Sequence, residues 1–164
     1  MSGFVIWPHA ALTQGARPRP VDDGLRSVAT RLLAAAQEAQ AYGLAAAHLG
    51  LVEPVVVVSV SDPGAARDYR VLYSPVIESL SEMASAGAEG SVSLPGIEVP
   101  ISRANWCVVH HDDGDGAQQS LRLEGFAARV AQHEIDQMNG VFFLNRLSRL
   151  KRETALRKFQ KSQR

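Results

Sequence analysis

The sequence predicts an α+β fold in which one helix is buried among antiparallel strands. Three observations support this prediction. Segment 21–42 repeats apolar residues at helical spacing, and segment 55–60 is a valine-rich run typical of a buried strand. Segment 105–124 contains two alternating stretches joined by turn residues, which is the pattern of an antiparallel hairpin.

The N-terminal third is predicted to hold one helix. Residues 1–20 contain three prolines and are expected to be irregular. Asp22 or Asp23 can cap a helix over 21–42, and Gly43 is expected to end it. The first element of regular structure is therefore a helix rather than a strand.

The middle of the chain is predicted to be mostly strand. Segment 55–60 is followed by a second strand over 70–77, where Pro75 indicates an edge or a bulge. Residues 82–90, rich in Ala, Ser and Gly, are expected to form a loop, and 97–101 a short strand. These strands supply the sheet against which the helices pack.

The C-terminal half begins with the hairpin and continues into the central helix. The turn chemistry of 112–116 separates strand 105–111 from strand 120–124. The central helix is predicted over 126–139, and Gly140 ends it. A charged helix is expected from residue 149 onward.

The composition indicates one soluble domain with a basic end. The chain has 164 residues, 46% hydrophobic and 21% charged, with a formal net charge of zero. We assign residues 1–148 to one domain and 149–164 to a basic C-terminal helix or tail of the same domain. Eight Lys or Arg residues and one Glu lie between Arg146 and Arg164.

Cysteine content and hydropathy place the chain in the cytoplasm. A single cysteine, Cys107, excludes an intrachain disulfide and suits a reducing compartment. No targeting segment is evident, and no apolar run approaches the length of a membrane span. We expect a cytoplasmic protein with no membrane partner.

Residues 132–137, with the sequence QHEIDQ, resemble a metal-binding motif that has lost one ligand. In H-E-x-x-H, two imidazoles four residues apart on a helix bind one metal ion, and the Glu acts as general base. Here His133 and Glu134 are present, but Gln137 stands at the second His position. The function depends on whether this site still holds a metal.

Three segments together are similar to the peptide deformylase family. Its motifs G-x-G-L-A-A-x-Q, E-G-C-L-S and Q-H-E-x-D-H correspond, in order, to 41–48 (AYGLAAAH), 89–93 (EGSVS) and 132–137 (QHEIDQ). The resemblance extends over nearly the whole chain. It implies the peptide deformylase-like fold, with antiparallel strands around the motif helix. The family reaction is hydrolytic removal of the formyl group from N-formylmethionyl peptides.

The resemblance implies that the family's metal-ligand positions are Ser91, His133 and Gln137. Two of these differ from the family's Cys and His. An alcohol holds its proton far more tightly than a thiol, and an amide oxygen suits hard ions better than Fe, Zn or Ni. We therefore expect no cofactor. If one is bound, it should be a divalent Fe, Zn or Ni ion.

The remaining family roles fall on residues that this chain keeps or changes conservatively. Glu134 corresponds to the general base. His48 replaces the glutamine that helps to polarise the formyl carbonyl, and Val92 supplies a backbone N–H. Glu89 and Arg103 match a pair whose acid orients a metal-binding His. The resemblance thus implies five substrate-binding positions: Gly43, Leu44, His48, Val92 and Arg103.

Two hypotheses follow for the function. In the first, the protein is an impaired deformylase that retains binding of nascent peptide N-termini, or of the ribosome through its basic C-terminal helix. In the second, His48 and His133 join a carboxylate such as Glu134 in a rebuilt metal site that hydrolyses formyl-peptides or another acyl amide. Against the second, His48 can simply hydrogen-bond to Ser91 or Gln137.

Two charged residues near the expected substrate pocket bear on specificity. Arg129 lies one helical turn before His133, on the face that in the family borders the pocket for a Met-like side chain. It is a poor lining for such a pocket, and we expect its side chain to extend to solvent. Glu98 is expected to be an exposed loop residue.

Overall fold

The chain folds into three α-helices and two antiparallel sheets over residues 3–164, which are the residues that the computed structural model describes. The helices are α1 (Asp23–Ala39), α2 (Gly125–Met138) and α3 (Arg149–Ser162). The strands are β1 (Gly43–Ala45), β2 (Val55–Ser59), β3 (Tyr69–Leu80), β4 (Ala84–Glu89), β5 (Val99–Ala104), β6 (Trp106–Asp112) and β7 (Gln118–Glu124). One sheet has the order β1-β2-β3-β6-β7, and β4 and β5 form the other. The predicted α+β class is confirmed.

Helix α1 begins as predicted but ends earlier. The Asp22 carboxylate accepts a hydrogen bond from the Leu25 N–H at 2.8 Å, which caps the first turn. The helix stops at Ala39 because Gln40 adopts a left-handed conformation with φ of 53°. The predicted end at Gly43 was therefore wrong, and Gly43 instead opens β1.

The five-stranded sheet has its most buried strand in β2. Val55, Val56, Val57 and Val58 are fully buried, as the valine run predicted. Strand β3 is longer than predicted, and its pairing with β6 shifts register between Tyr73 and Val76. The bulge expected at Pro75 is thereby confirmed.

The predicted loop over 82–90 was wrong, because Ala84–Glu89 is strand β4. It pairs with β5 from Ala84 opposite Ala104 to Glu89 opposite Val99. The small residues of β4 carry no strand propensity of their own, so cross-strand hydrogen bonds to β5 determine its conformation. This hairpin brings Glu89 to the side of the central helix.

Helix α2 is the buried element to which the other parts of the fold attach. Every residue from Ala127 to Met138 except Arg129 is buried. It packs against β1, β2, β6 and β7 of the larger sheet and against β5 of the smaller one. Gly140, with φ of 81°, follows its end and lies against the backbone of residues 13–15.

The basic C-terminal segment is helical, as predicted. Ser148 caps α3 by accepting a hydrogen bond from the Lys151 N–H at 3.3 Å. Only Ala155 and Phe159 of α3 are buried, so its Lys and Arg side chains face outward. Ribosome contact through α3 stays a prediction. None of the helices within residues 3–164 is both long enough and apolar enough to span a membrane.

Gly43 is required for the close packing of β1 on α2. A methyl group at this position would lie 2.7 Å from Val130 Cγ1, 2.9 Å from Glu134 Cγ and 3.0 Å from the Val57 carbonyl oxygen. We predict that Gly43→Ala lowers the free energy of unfolding by about 1–3 kcal/mol through overpacking. Chemical denaturation measures this change.

Gly114→Ala is the matched control, since nothing lies within 4 Å of a methyl group there and its φ is not positive. We expect Gly114→Ala to leave the midpoint of unfolding nearly unchanged. Equal stability losses in the two variants would contradict the packing role of Gly43.

Candidate functional site

A cavity of about 490 Å³ opens between α2, β1 and the segment that follows β4. Seven of the predicted site residues line it: Gly43, Leu44, His48, Ser91, Val92, His133 and Glu134. Arg103 and Gln137 are buried outside its lining. Most of the predicted residues thus line one pocket, and Arg103 and Gln137 lie behind its wall.

Glu89 orients His133 and is itself held by arginine. Glu89 Oε1 lies 2.8 Å from His133 Nδ1, so the other ring nitrogen, Nε2, is left for the pocket. Arg103 donates from Nε and Nη2 to the two Glu89 oxygens, both at 2.9 Å. Burial would raise the pKa of Glu89, but hydrogen bonds with His133 and Arg103 outweigh it and lower the pKa to about 2.

Burial and neighbouring charges have opposite effects on His133, which lines the pocket. Burial would lower its pKa, but the charge of Glu134 and the hydrogen bond to Glu89 raise it above the ordinary value. Its ring also packs on Phe143 at a centroid distance of 5.5 Å. The imidazole is therefore fixed in position from two sides.

The two ring nitrogens of His48 have different roles, one as a hydrogen-bond acceptor and the other as a donor. Its Nδ1 accepts a hydrogen bond from the Ala45 N–H at 3.0 Å. Burial, followed by the charge of His133, lowers its pKa to about 3, so the ring is neutral. A neutral imidazole that accepts at Nδ1 carries its single proton on Nε2. His48 Nε2 is buried without a hydrogen-bond partner among residues 3–164.

The hydrogen bond predicted from His48 to Ser91 or Gln137 was therefore wrong, since the ring bonds to the backbone of Ala45 instead. Ser91 Oγ accepts from the Ser93 N–H at 3.1 Å. Gln137 donates from Nε2 to the Leu12 carbonyl oxygen at 2.7 Å and ties α2 to the N-terminal segment. Both altered positions have taken structural roles.

Glu134 is a buried carboxyl group with one orphaned oxygen. Its Oε1 has no hydrogen-bond partner within the described part of the chain. It lies 3.7 Å from His48 Nδ1, whose lone pair is already used by Ala45. Burial raises the pKa of Glu134 to about 7 against the opposing charge of His133.

The three donor atoms offered by His48, His133 and Glu134 lie within 4.8 Å of one another. Their spacing matches the rebuilt metal site, but their chemistry does not fit it as the site stands. A ligating imidazole needs a free lone pair, and His48 holds a proton on Nε2 while its Nδ1 accepts from Ala45. The original positions fit no better, because Ser91 and Gln137 offer only neutral oxygens.

Arg129 lines the pocket, so the expectation that it extends to solvent was wrong. Its Nη1 donates to Glu89 Oε2 at 2.7 Å, and its side chain is only 13% exposed. A Cβ on Gly87 would lie 2.9 Å from the guanidinium carbon, so the glycine makes room for the arginine. Glu98 also lines the pocket and is exposed, as predicted.

Two contacts that position α2 were not predicted from the sequence. Gln132 accepts from the Ala104 N–H at 3.1 Å and donates to the Ala104 carbonyl at 3.0 Å, which pins α2 to β5. Asp136 binds Arg103 at 2.6 Å and Arg146 at 2.7 Å. The sequence could have indicated these contacts, because Gln132 and Asp136 flank His133 and Glu134 in the QHEIDQ segment of the motif helix.

Comparison with known proteins agrees with this arrangement. The family model described as polypeptide deformylase matches residues 1–153. A protein of Agrobacterium fabrum named peptide deformylase-like is 40% identical over 157 residues, which is 95% of this chain and 93% of that protein. A peptide deformylase of Brucella suis is 33% identical, covering 96% of this chain and 91% of its own length.

The fold is also that of solved deformylases. The crystal structure of peptide deformylase from Ehrlichia chaffeensis superposes with a TM-score of 0.89 at 27% identity, covering 98% of this chain and 95% of that one. The likeness therefore extends over nearly all of the strands and helices. On sequence and structure together, the chain belongs to the peptide deformylase family.

Proposed function

We propose that the pocket binds the N-terminal acyl amide of formylated peptides and hydrolyses it only slowly. One observation supports this proposal: two buried polar atoms of residues that line the pocket, His48 Nε2 and Glu134 Oε1, lack protein partners among residues 3–164. The first is a donor and the second, when ionised, an acceptor. An amide offers the complement, a carbonyl oxygen for His48 and an N–H for Glu134.

The energetic argument supports a ligand at these two atoms. A buried polar group without a partner costs about 1–3 kcal/mol, and a ligand that satisfies both atoms recovers that cost. The rest of the lining is largely apolar, with Leu44, Val92, Phe126 and Val130 around the polar end. A peptide N-terminus with a small acyl group fits this mixture of one polar end and an apolar wall.

Slow hydrolysis follows from the donor set. Glu134 is placed to take a proton from water, but water that is not activated has a pKa near 15.7. A carboxylate whose pKa is about 7 deprotonates such water poorly. Neither Ser91 nor Gln137 supplies the charged or imidazole ligand that would hold a transition metal there.

A second candidate is the rebuilt metallohydrolase. The 4.8 Å cluster of His48, His133 and Glu134 favours it. This candidate requires the His48 ring to release the Ala45 N–H so that one nitrogen can bind the ion, and it uses Glu134 as a ligand rather than a base. Metal content separates the two candidates.

The double variant Ser91→Cys with Gln137→His tests the primary proposal. We predict that it acquires stoichiometric Fe, Zn or Ni and deformylates a formyl-Met peptide at least about 100-fold faster than the wild type, since it restores a thiolate and an imidazole. Elemental analysis and a formate-release assay measure both quantities.

Wild-type protein serves as the matched control. Stoichiometric metal in the wild type that disappears in His48→Gln would establish the second candidate and refute the first. A wild-type rate typical of enzymes, above about 1 s⁻¹, would also refute slow hydrolysis.

His48 variants test the proposed donor. We predict that His48→Ala weakens binding of a formyl-Met peptide to metal-free protein about tenfold, because the carbonyl loses one hydrogen bond. His48→Gln keeps an N–H donor of similar reach and should bind within about threefold of the wild type. Calorimetry gives the affinities, and thermal melting checks that both variants fold. Equal binding by all three proteins would exclude His48 as the donor.

The buried carboxyl group should make stability depend on pH. Glu134 keeps its proton up to about pH 7 in the folded chain, whereas its ordinary pKa is 4.5. The stability from this raised pKa is complete below pH 4.5 and is lost as the pH rises through 7. We predict that Glu134→Gln gains up to about 3 kcal/mol relative to the wild type between pH 5 and 8.

Denaturation of both proteins with a chelator present, at several pH values, measures this gain. Glu82→Gln, at an exposed position just before β4, is the matched control for the removal of one carboxyl group. A constant difference between Glu134→Gln and wild type across the range would contradict the raised pKa.

A further inference from the structure

Arg129 ends a row of five alternating charges that crosses the protein interior. The row runs Arg129, Glu89, Arg103, Asp136 and Arg146, and each neighbouring pair is joined by an ion pair of 2.6–2.9 Å. Three guanidinium groups thus share two carboxylates, and the row carries one excess positive charge. The Arg146 side chain is 50% exposed, whereas Arg129 is 13% exposed and lines the pocket.

The Arg129 guanidinium keeps unused hydrogen-bond donors. It has five N–H groups. Nη1 donates to Glu89 Oε2 and the Ile101 carbonyl oxygen, and Nη2 donates to the Ser85 carbonyl oxygen, each at 2.7 Å. A longer contact of 3.5 Å joins Nη1 to the Gly87 carbonyl oxygen. Within residues 3–164, Nε–H and one Nη2–H remain without a partner, and a guanidinium uses such N–H groups to bind carboxylates.

The distance along α2 suits the first side chain of a bound peptide. Arg129 and Val130 lie one helical turn, about 5.4 Å, before His133 and Glu134. Arg129 precedes Val130 in the helix and is therefore about 1.5 Å further from Glu134 along the helix axis. An amide held at Glu134 would therefore direct its first side chain along Val130 toward Arg129, over a length similar to that of glutamate.

We propose that Arg129 makes this pocket select N-acylated peptides whose first side chain is acidic rather than methionine-like. The inference rests on the amide site proposed above and names the substrate class of that site. The aliphatic part of a glutamate side chain would pack on Val130, and its carboxylate would offset the excess positive charge of the row. Glu98 opposes this preference from the exposed pocket mouth.

Three peptides that differ only in their first residue test the selectivity: formyl-Glu-Ala-Ser, formyl-Gln-Ala-Ser and formyl-Met-Ala-Ser. With metal-free full-length protein, we expect the Glu peptide to bind at least about tenfold more tightly than the Gln peptide, because both partners of the new hydrogen bonds are charged with Glu and only Arg129 is charged with Gln. The Met peptide should also bind more weakly than the Glu peptide. Raising the salt concentration should reduce the Glu preference.

Arg129→Met should abolish the preference and favour the Met peptide, whereas Glu98→Gln should strengthen binding of the Glu peptide. Arg122→Met is the matched control, because Arg122 is exposed on β7 outside the pocket lining, and it should keep the wild-type preference. Equal affinities for the Glu and Gln peptides in the wild type would overturn the inference and leave the amide site standing. The inference is also overturned if Arg129→Met keeps the preference, since Arg129 then only braces the hairpin.

Glutarate, which has carboxylates but no amide, separates this inference from the proposed amide site. Its addition should shift the Arg129 Nε–H resonance in the NMR spectrum of the wild type and leave the spectrum of Arg129→Met unchanged. The anion site is overturned if glutarate causes no shift in the wild type. A shift with glutarate, combined with no binding of any formyl peptide, would refute the amide site while retaining the carboxylate site at Arg129.

Discussion

The Glu89 carboxylate is the interaction on which the site depends. It is buried, and it contacts His133 on α2, Arg103 on β5 and Arg129 on α2 at once. A buried ion needs several good hydrogen bonds to offset its desolvation, and these three cationic or polar partners provide them. By bonding in this way, Glu89 holds the smaller sheet against the central helix and fixes the ring of His133. The pocket keeps its shape because these contacts hold the smaller sheet and α2 together.

The positions that differ from the family motif have become part of the framework. Gln137 uses its amide to join α2 to the carbonyl of Leu12, and Ser91 accepts a backbone N–H from Ser93. These bonds give the two side chains partners within the protein. His48 differs from both, because the Ala45 N–H uses one of its nitrogens and leaves the other as an unpaired buried donor. Our proposal that the pocket binds an amide rests on this unpaired donor.

An excess of positive charge beside this pocket distinguishes it from a purely apolar pocket. The row from Arg129 to Arg146 contains one more cation than anion, and its two ends have different surroundings. The pocket end is less exposed than the surface end, so solvent screens its charge less. Gly87 permits this arrangement, because any side chain there would meet the guanidinium.

The sequence by itself determined the elements with strong local signals and seven of the residues that line the pocket. The valine run of β2, the Asp22 cap of α1 and the QHEIDQ segment each carry their pattern within a few residues. The tertiary structure alone decided that 84–89 is a strand, that Arg129 turns into the pocket, and which His48 nitrogen keeps a proton. These features depend on partners far away in the chain or on backbone geometry, and local sequence patterns contain no information about either.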